Sequence, residues 1–367
     1  MARQLAFPAG YHAYLEQTFS PATRRLAPAI RALSDHYVGK TGAVHLPAVL
    51  WTEAYAAYYG PVNALKLSAI ADELRLRLPG WPSQKRLRVL DIGAGPGSAT
   101  LGIALALPDF GLDALWLDNN PSWNESPLIE PLIKSGHLTV RRQPGDFQSV
   151  QPPAGLFDIV VMANTLVELE GPVSGLAARF GQWISQTLAP DGVAVIVEPA
   201  LKAPTRNLHE LRSHLLRPSS GFSWRIAGPC PHEKACPMLE TDRDWCHETR
   251  DWLQPAYHHQ IDQLAGLRKD ALRYSWLALT HIVAAVLPEP AGRVVSEIRR
   301  EKGRTRFVTC GTDGRLSEWQ ALERVIRTTP ELAETMKTLE RGHLVKLPGL
   351  DGGRLSPGNS FGRLPST

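Results

Sequence analysis

Two groups of residues in this 367-residue chain have types and spacings that could do chemistry. The first is sulfur: Cys230-Pro231-His232, Cys236-Pro237 and Trp245-Cys246-His247 crowd one stretch, and a fourth cysteine, Cys310, stands far downstream. The separation C-x5-C-x9-C is looser than the C-x2-C pairs of zinc ribbons, so spacing alone does not fix a metal. Together the four thiols would make one all-cysteine ligand set, suited to an iron-sulfur cluster or to zinc. Otherwise they are unrelated buried thiols, with His232 and His247 either substitute ligands or local hydrogen-bond partners. The second group is Val89-Leu90-Asp91-Ile92-Gly93-Ala94-Gly95-Pro96-Gly97, an apolar run that ends in an acid and then Gly-x-Gly-x-Gly. Glycine in such a turn lets the backbone approach a bound cofactor and permits φ above zero. A dinucleotide fingerprint would need G-x-G-x-x-G, and here the last position is Ser98.

The elements that must hold these residues alternate. Leu87 to Ile92 predicts a buried parallel strand and Ala99 to Leu107 a helix. Ala114 to Leu117, Leu138 to Arg141, Phe157 to Met162 and Val193 to Val197 predict four more strands, with a helix from Ser174 to Leu188 before the last. Such alternation means right-handed βαβ units, a parallel sheet covered on both faces, and a cofactor along the carboxyl ends of the strands. The glycine pattern resembles motif I of class I S-adenosylmethionine-dependent methyltransferases. That resemblance implies a Rossmann-like α/β sheet in which Gly93, Ala94, Gly95 and Gly97 pack under the cofactor and Asp91 faces its amino-acid part. Asp118, with Asn119 beside it, ends the second strand, where a carboxylate accepts from two vicinal ribose hydroxyls; an N-cap role could coexist. Asp146 and Phe147 fall where such enzymes hold adenine, although Gly145-Asp146-Phe147 also reads as a plain surface turn.

No catalytic residue is assigned. Amino-directed nucleic-acid methyltransferases carry Asp/Asn-Pro-Pro-aromatic after the fourth strand, and this chain has Asn164-Thr165-Leu166-Val167, with Asn164 kept as a cofactor contact. Cytosine-C5 enzymes need a cysteine near the fourth or fifth strand, and none lies there.

Around this core, residues 1–80 read as helical, with Ser20-Pro21 opening one helix, Trp51, Tyr55, Tyr58 and Tyr59 on a second that Gly60-Pro61 interrupts, and a third from Asn63 to Leu78. The aromatics read as core rather than a base-stacking face. The remaining divisions are a cofactor-binding core over 81–200, a cysteine-containing insertion over 201–270, a sheet hairpin and helix over 271–347, in which Leu272 to Val286 would pair with Arg304 to Cys310 to close the sheet, and a disordered Gly-, Pro- and Ser-rich tail over 348–367. Hydrophobic content of 43% and charged content of 21% fit a folded soluble protein and exclude disordered and membrane classes. A formal charge of +4 is mild, so RNA contact must come from local patches such as Arg293, Arg299, Arg300, Lys302, Arg304 and Arg306, diluted by Glu297 and Glu301. Met1 to Gln4 begins no signal peptide, and Trp276 to Leu287 is too short to span a bilayer, so a cytoplasmic location without membrane contact is expected; the oligomeric state is left open, with a monomer favoured.

Taken together, the glycine turn, Leu166-Val167-Glu168-Leu169, Val197-Glu198-Pro199, the three cysteine blocks, and Arg293-Val294-Val295 leading to Cys310 resemble the methyltransferase-like small-ribosomal-subunit proteins of bacteria and mitochondria. The resemblance spans roughly residues 20 to 340. It implies a four-iron four-sulfur cluster on Cys230, Cys236, Cys246 and Cys310, with zinc as the alternative, S-adenosylmethionine binding, and action on the small ribosomal subunit or its RNA. It also implies two outcomes for that action, rRNA methylation or a catalytically silent assembly factor. Glu198-Pro199-Ala200-Leu201 departs from the family's usual Glu-Pro-Gly-Thr.

Overall fold

The computed structural model describes residues 4–40, 42, 45–124, 126–217, 220–284, 287, 289–356, 358 and 360–364. It opens on helices α1 (Ala9–Phe19), α2 (Thr23–Tyr37) and α3 (Ala48–Arg77). Contrary to expectation, α3 runs unbroken through Gly60-Pro61. Proline forfeits a backbone bond and crowds the preceding turn. Here, however, most residues from Ala54 to Leu74 are buried, and tertiary packing decides helical stability more than local propensity does. Gly60 also contributes to that packing, because a side chain there would run into Leu128.

The first sheet follows the predicted alternation. Strands β1 (Arg86–Ile92), β2 (Gly111–Asp118), β3 (Leu138–Pro144), β4 (Phe157–Ala163) and β5 (Leu188–Pro199) lie parallel in the order β3-β2-β1-β4-β5. The intervening helices are α4 (Ser98–Ala106), α5 (Glu130–Lys134) and α6 (Val173–Thr187). Alternate residues face opposite layers. Val89, Val161, Val195 and Val197 meet α3 and α4, whereas Leu90, Val160, Met162 and Ile196 meet the layer containing Phe180, Trp183 and Leu211. After β5 come α7 (Lys202–Leu215), β6 (Arg225–Gly228), β7 (Glu248–Asp251), α8 (Ala256–Ala265) and β8 (Ala271–Thr280), the last antiparallel to β5.

The expected hairpin of Leu272 to Val286 with Arg304 to Cys310 does not form. The free edge of β8 is taken by β6 and β7 from the cysteine-containing insertion, so no edge remains for a downstream strand. Residues 285 and 286 of that expectation lie outside the described chain. Arg304 to Gly311 instead belongs to a second sheet. It is built from β9 (Ala291–Val294), β10 (Arg299–Glu301), β11 (Arg304–Gly311), β12 (Leu316–Leu322), β13 (Leu344–Lys346), β14 (Gly353–Leu355) and β15 (Gly362–Arg363). Its order is β14-β12-β11-β9-β13-β15, with β10 on β11, and α9 (Glu323–Thr328) and α10 (Pro330–Thr338) follow β12. The signal for the new pairing is Asp313-Gly314 between β11 and β12, a strong hairpin dipeptide. In place of a disordered tail, the described part of 348–367 carries β14 and β15 and places Leu355 and Phe361 in the core beside Phe307 and Trp319; residues 357, 359 and 365–367 lie outside the described chain.

The sheets and the helical region meet on one buried cation. Arg293 of β9 is 1% exposed. It pairs with Glu73 of α3 and with Glu248 of β7, and donates to the carbonyls of Pro229 (2.7 Å) and Gly342 (2.6 Å). Burial acts to lower its pKa, but the charges of Glu73 and Glu248 prevail and raise it. Glu248 is also paired with Arg250. Replacing Arg293 by Met would strip Glu73 and Glu248 of the counter-charge they share and leave them only Arg77 (3.7 Å) and Arg250, with an expected loss of up to ~3–5 kcal/mol of stability. Denaturant titration checks this. An unchanged midpoint in the variant would show that Arg77 and Arg250 satisfy the two carboxylates alone and that Arg293 does not join the three parts.

Candidate functional site

At the carboxyl ends of β1, β2 and β4 lies a cleft of about 340 Å³. Gly93, Gly95, Asp118, Asn119, Asp146, Phe147 and Asn164 all border it. The turn that shapes it needs left-handed backbone, with φ of 69° at Gly93, 52° at Gly95 and 80° at Gly97. The glycines differ in role. A side chain at Gly97 would enter the Trp116 indole, whereas a Cβ at Gly95 would make only ordinary van der Waals contact with Trp123, at 3.8 Å, so backbone conformation rather than crowding asks for glycine there. Asp118 ties the two strand ends together, its Oδ2 accepting from Gly95 N and its Oδ1 from Asn120 N, each at 2.8 Å. The same carboxylate thus performs the local capping role while bordering the cleft.

Five expected contacts sit elsewhere or contribute less. Asp91 is buried behind the turn and accepts from the hydroxyl (2.7 Å) and N–H (3.2 Å) of Thr100, and burial pushes its pKa up to about 7. It therefore anchors α4 rather than facing the cleft. Ala94 and Gly97 are buried within the turn. Phe147 borders the cleft, but its ring packs on Trp183 at 4.8 Å, and Asp146 accepts from Gln148 N (2.8 Å), a local turn bond.

The other wall was not anticipated. Tyr37, Trp51 and Tyr55 from α2 and α3, with Trp123 after β2, complete the lining. Trp51 stacks on Tyr55 at 5.5 Å and touches Trp123 at 5.5 Å. The aromatic stripe read as core thus divides. Tyr58 is buried and donates to Asp262 (2.5 Å), while Trp51 and Tyr55 point to the cleft. A period of three to four residues identifies a helix face and not what that face meets. Thr165, Glu168 and Leu169 close the floor. Burial, and then the charge of Asp118, raises the Glu168 carboxyl pKa.

The Val197-Glu198-Pro199 block has a structural task. Glu198 is fully buried and accepts from Leu166 N (3.0 Å), fixing the turn that carries Thr165 and Glu168. Burial pushes its pKa up to about 8, and burial pushes that of nearby Lys66 down to about 7. Asn164, at φ 55°, donates its N–H to Val197 O (2.7 Å).

The four cysteines meet. Cys230, Cys236, Cys246 and Cys310 line a single cavity of about 40 Å³, away from the cleft. Cys310 lies on β11 opposite Arg293 of β9, and His232 Nε2 is 3.2 Å from its sulfur. Burial, followed by the neighbouring thiols, pushes Cys236 up to about 11 and Cys246 up to about 12, and raises Cys310. Buried thiols so close together stay protonated unless a cation replaces the protons. As the side chains stand, no group of three or more His, Cys, Asp or Glu among the described residues could hold a metal ion.

The arginines read as phosphate ligands separate. Arg293 is buried in the ion network, Arg304 pairs with Glu301, and Arg306 pairs with Glu301 and Glu318. Arg299, Arg300 and Lys302 remain on the exposed face, with Arg300 donating to Met336 O. No helix among the described residues is long and apolar enough to cross a membrane.

A sheet of order β3-β2-β1-β4-β5-β8 with β8 reversed, and a glycine turn opening a cleft at its carboxyl edge, define a mixed α/β fold. The family model described as mitochondrial small ribosomal subunit Rsm22 matches residues 50–324, most of the chain, and the chain belongs to that family. Among solved structures, the plantazolicin methyltransferase BpumL with S-adenosylhomocysteine is 13% identical, with a TM-score of 0.36, over 71% of this chain and 99% of that one. A putative S-adenosyl-L-methionine-dependent methyltransferase from Methanococcus maripaludis is 13% identical, with a TM-score of 0.35, over 67% and 100%. A putative O-methyltransferase from Nostoc punctiforme is 16% identical, with a TM-score of 0.36, over 59% and 68%. No curated protein sequence matches the chain.

The two glycines give a test of the cleft wall. Gly97→Ala combines a left-handed penalty of ~1–2 kcal/mol with a clash on Trp116, so it should lower the melting temperature clearly. Gly95→Ala should carry the backbone penalty alone and melt higher than Gly97→Ala. Equal melting temperatures would remove the distinction.

Proposed function

We propose that this chain is an S-adenosylmethionine-binding, methyltransferase-like protein that acts on RNA of the assembling small ribosomal subunit. The observation that carries this reading is the convergence of Gly95, Asp118, Asn119, Asp146 and Asn164 on one cleft. The residues fit the cofactor: Gly95 leaves the approach open, Asp118 offers an anionic edge to hydroxyl donors, and the aromatic wall excludes water from one side. When bound, S-adenosylmethionine would supply the methyl group. Association with the small subunit is carried over from the family's description. The cytoplasm is the location we propose, although that description is mitochondrial.

A second reading, a factor that binds without transferring a methyl group, is favoured by the turn after β4. There the hydroxyl of Thr165 donates back to Ile92 O (3.2 Å) and Ala163 O (3.3 Å), and no Pro-Pro-aromatic element follows Asn164 to hold an amine.

For the thiol cavity the proposal is a four-iron four-sulfur cluster on Cys230, Cys236, Cys246 and Cys310. Four thiols that line one cavity form an all-cysteine set that iron-sulfur or zinc could use, and the resemblance to the family is what favours iron-sulfur. The cluster would join the insertion to the second sheet and replace four thiol protons.

The experiment is a methylation assay on immature small subunits with labelled cofactor and anaerobically purified protein, alongside calorimetric titration. Binding with transfer supports the enzyme, and binding without transfer supports the silent factor. Asp118→Ala removes charge-assisted hydrogen bonds typically worth ~1.5–3 kcal/mol each and should weaken cofactor binding at least tenfold. Equal affinity in wild type, Asp118→Ala and Gly95→Val would defeat the cleft assignment.

A further inference from the structure

Three of the four cysteines lie on chain with little regular structure of its own. Between β6 and β7 the segment from Pro229 to His247 contains one short 3-10 turn, Pro237–Leu239, and few internal backbone bonds, such as Leu239 N to Cys236 O (3.1 Å). Helix or ladder geometry therefore does not hold these sulfurs in place. The carbonyls flanking them are instead held from outside, by arginines.

Arg77 of α3 donates to Pro229 O (3.2 Å) and Cys230 O (3.1 Å), beside the first thiol. Arg212 of α7 donates to His232 O and Lys234 O, each at 2.9 Å, on the approach to Cys236. Arg206, also on α7, donates to Met238 O (3.0 Å) after Cys236 and to Asp244 O (3.1 Å) before Cys246. Arg341 donates to Trp245 O (2.8 Å) and His247 O (3.0 Å), on both sides of Cys246. All four are buried or half-buried, and Arg212 is 2% exposed. Cys310 has no such clamp because its strand register on β9 and β12 fixes it.

We infer that Arg77, Arg206, Arg212 and Arg341 are positioning residues that hold the three cysteine loops around their shared cavity before any metal arrives. Only a guanidinium suits the task. Its fork of donors spans two or three carbonyls from one side chain, and it keeps its positive charge when buried beside a ligand set that becomes anionic on metal binding. A lysine offers a single point charge and would hold fewer carbonyls.

This inference rests on the metal-site reading for its purpose, and its test separates the two. The full-length protein, metal-free and anaerobic, is compared as wild type, Arg212→Gln, Arg212→Lys, Arg341→Gln and Cys310→Ser by amide hydrogen exchange over residues 229–247. Each is then reconstituted with ferrous iron and sulfide, and iron, sulfide and visible absorbance are measured. Loss of one clamp should speed exchange in its own loop by about tenfold, the scale of one hydrogen bond, while β1 to β5 keep wild-type protection. Loading should fall several-fold in Arg212→Gln and less in Arg212→Lys. Cys310→Ser should lose the iron absorbance and keep its loops protected. If wild type takes zinc or nothing, the iron-sulfur reading fails, and loops loosened in the arginine variants still support the positioning role. If a glutamine variant loses protection throughout the sheet, Arg212→Lys decides by the same loop readout. Wild-type exchange and full loading in the arginine variants would overturn the inference.

Discussion

A buried guanidinium between two buried carboxylates is the constraint from which the arrangement of this chain follows. Arg293 leaves water only because Glu73 and Glu248 reach it from α3 and β7, and because the carbonyls of Pro229 and Gly342 take its remaining donors. Such a group has little tolerance for displacement, since desolvation costs several kcal/mol per ion and is offset only by good geometry. The three contributing segments are far apart in sequence, so one interaction sets the helical region, the first sheet and the second sheet against one another. It sets the thiol cavity as well. Pro229 directly precedes Cys230, and Cys310 is the ladder partner of Arg293.

Helix α3 carries this constraint toward the cleft. Glu73 and Arg77 at its end hold Arg293 and the first cysteine loop, while Trp51 and Tyr55 near its start form the aromatic wall. At 1.5 Å per residue the distance along the axis from Tyr55 to Glu73 is about 27 Å. Keeping so long a helix continuous past Pro61 is therefore important to the architecture: a break at Gly60-Pro61 would free the wall from its place opposite Asp118 and Glu168. The burial of the helix from Ala54 onward supplies the restraint that the local sequence lacks.

The inner strands β1, β2, β4 and β5 of the first sheet were legible in the sequence because they are buried along most of their length and read as near-continuous apolar runs, whereas β3 is the exposed edge strand. The glycine turn was legible because left-handed backbone demands glycine at spaced positions. The meeting of the four cysteines was legible as a set but not as a geometry. What escaped the reading was the destination of each surface. Asp91 looks like a cofactor carboxylate until Thr100 is seen to occupy it, and Arg293 looks like one more member of a basic cluster until its two glutamates are placed. The assignment of Arg304 to Cys310 to the first sheet failed for a similar reason. The strand itself is there, but β6 and β7 had already filled the edge of β8, and those four-residue strands carry too little periodicity to be recognised.

The geometry also separates the two sites chemically. The thiols line a cavity of about 40 Å³, and none of the four borders the cleft. A group held there would be enclosed by Met238, Val295 and the packed flank of β8, out of reach of a methyl acceptor lying against Trp51 and Glu168. Its influence on the cleft must then be mechanical, passing through the arginines that grip the cysteine loops and through α3, which one of those arginines shares with the aromatic wall. A small domain edge built from loops gains stability from a metal centre in proportion to how much chain the centre organises. Here that chain runs from Pro229 to His247, and fixing it also fixes β6 and β7, the strands that complete the edge of the first sheet. On the proposed reading the thiol site would be a structural device of the fold, and methyl transfer would belong to the cleft.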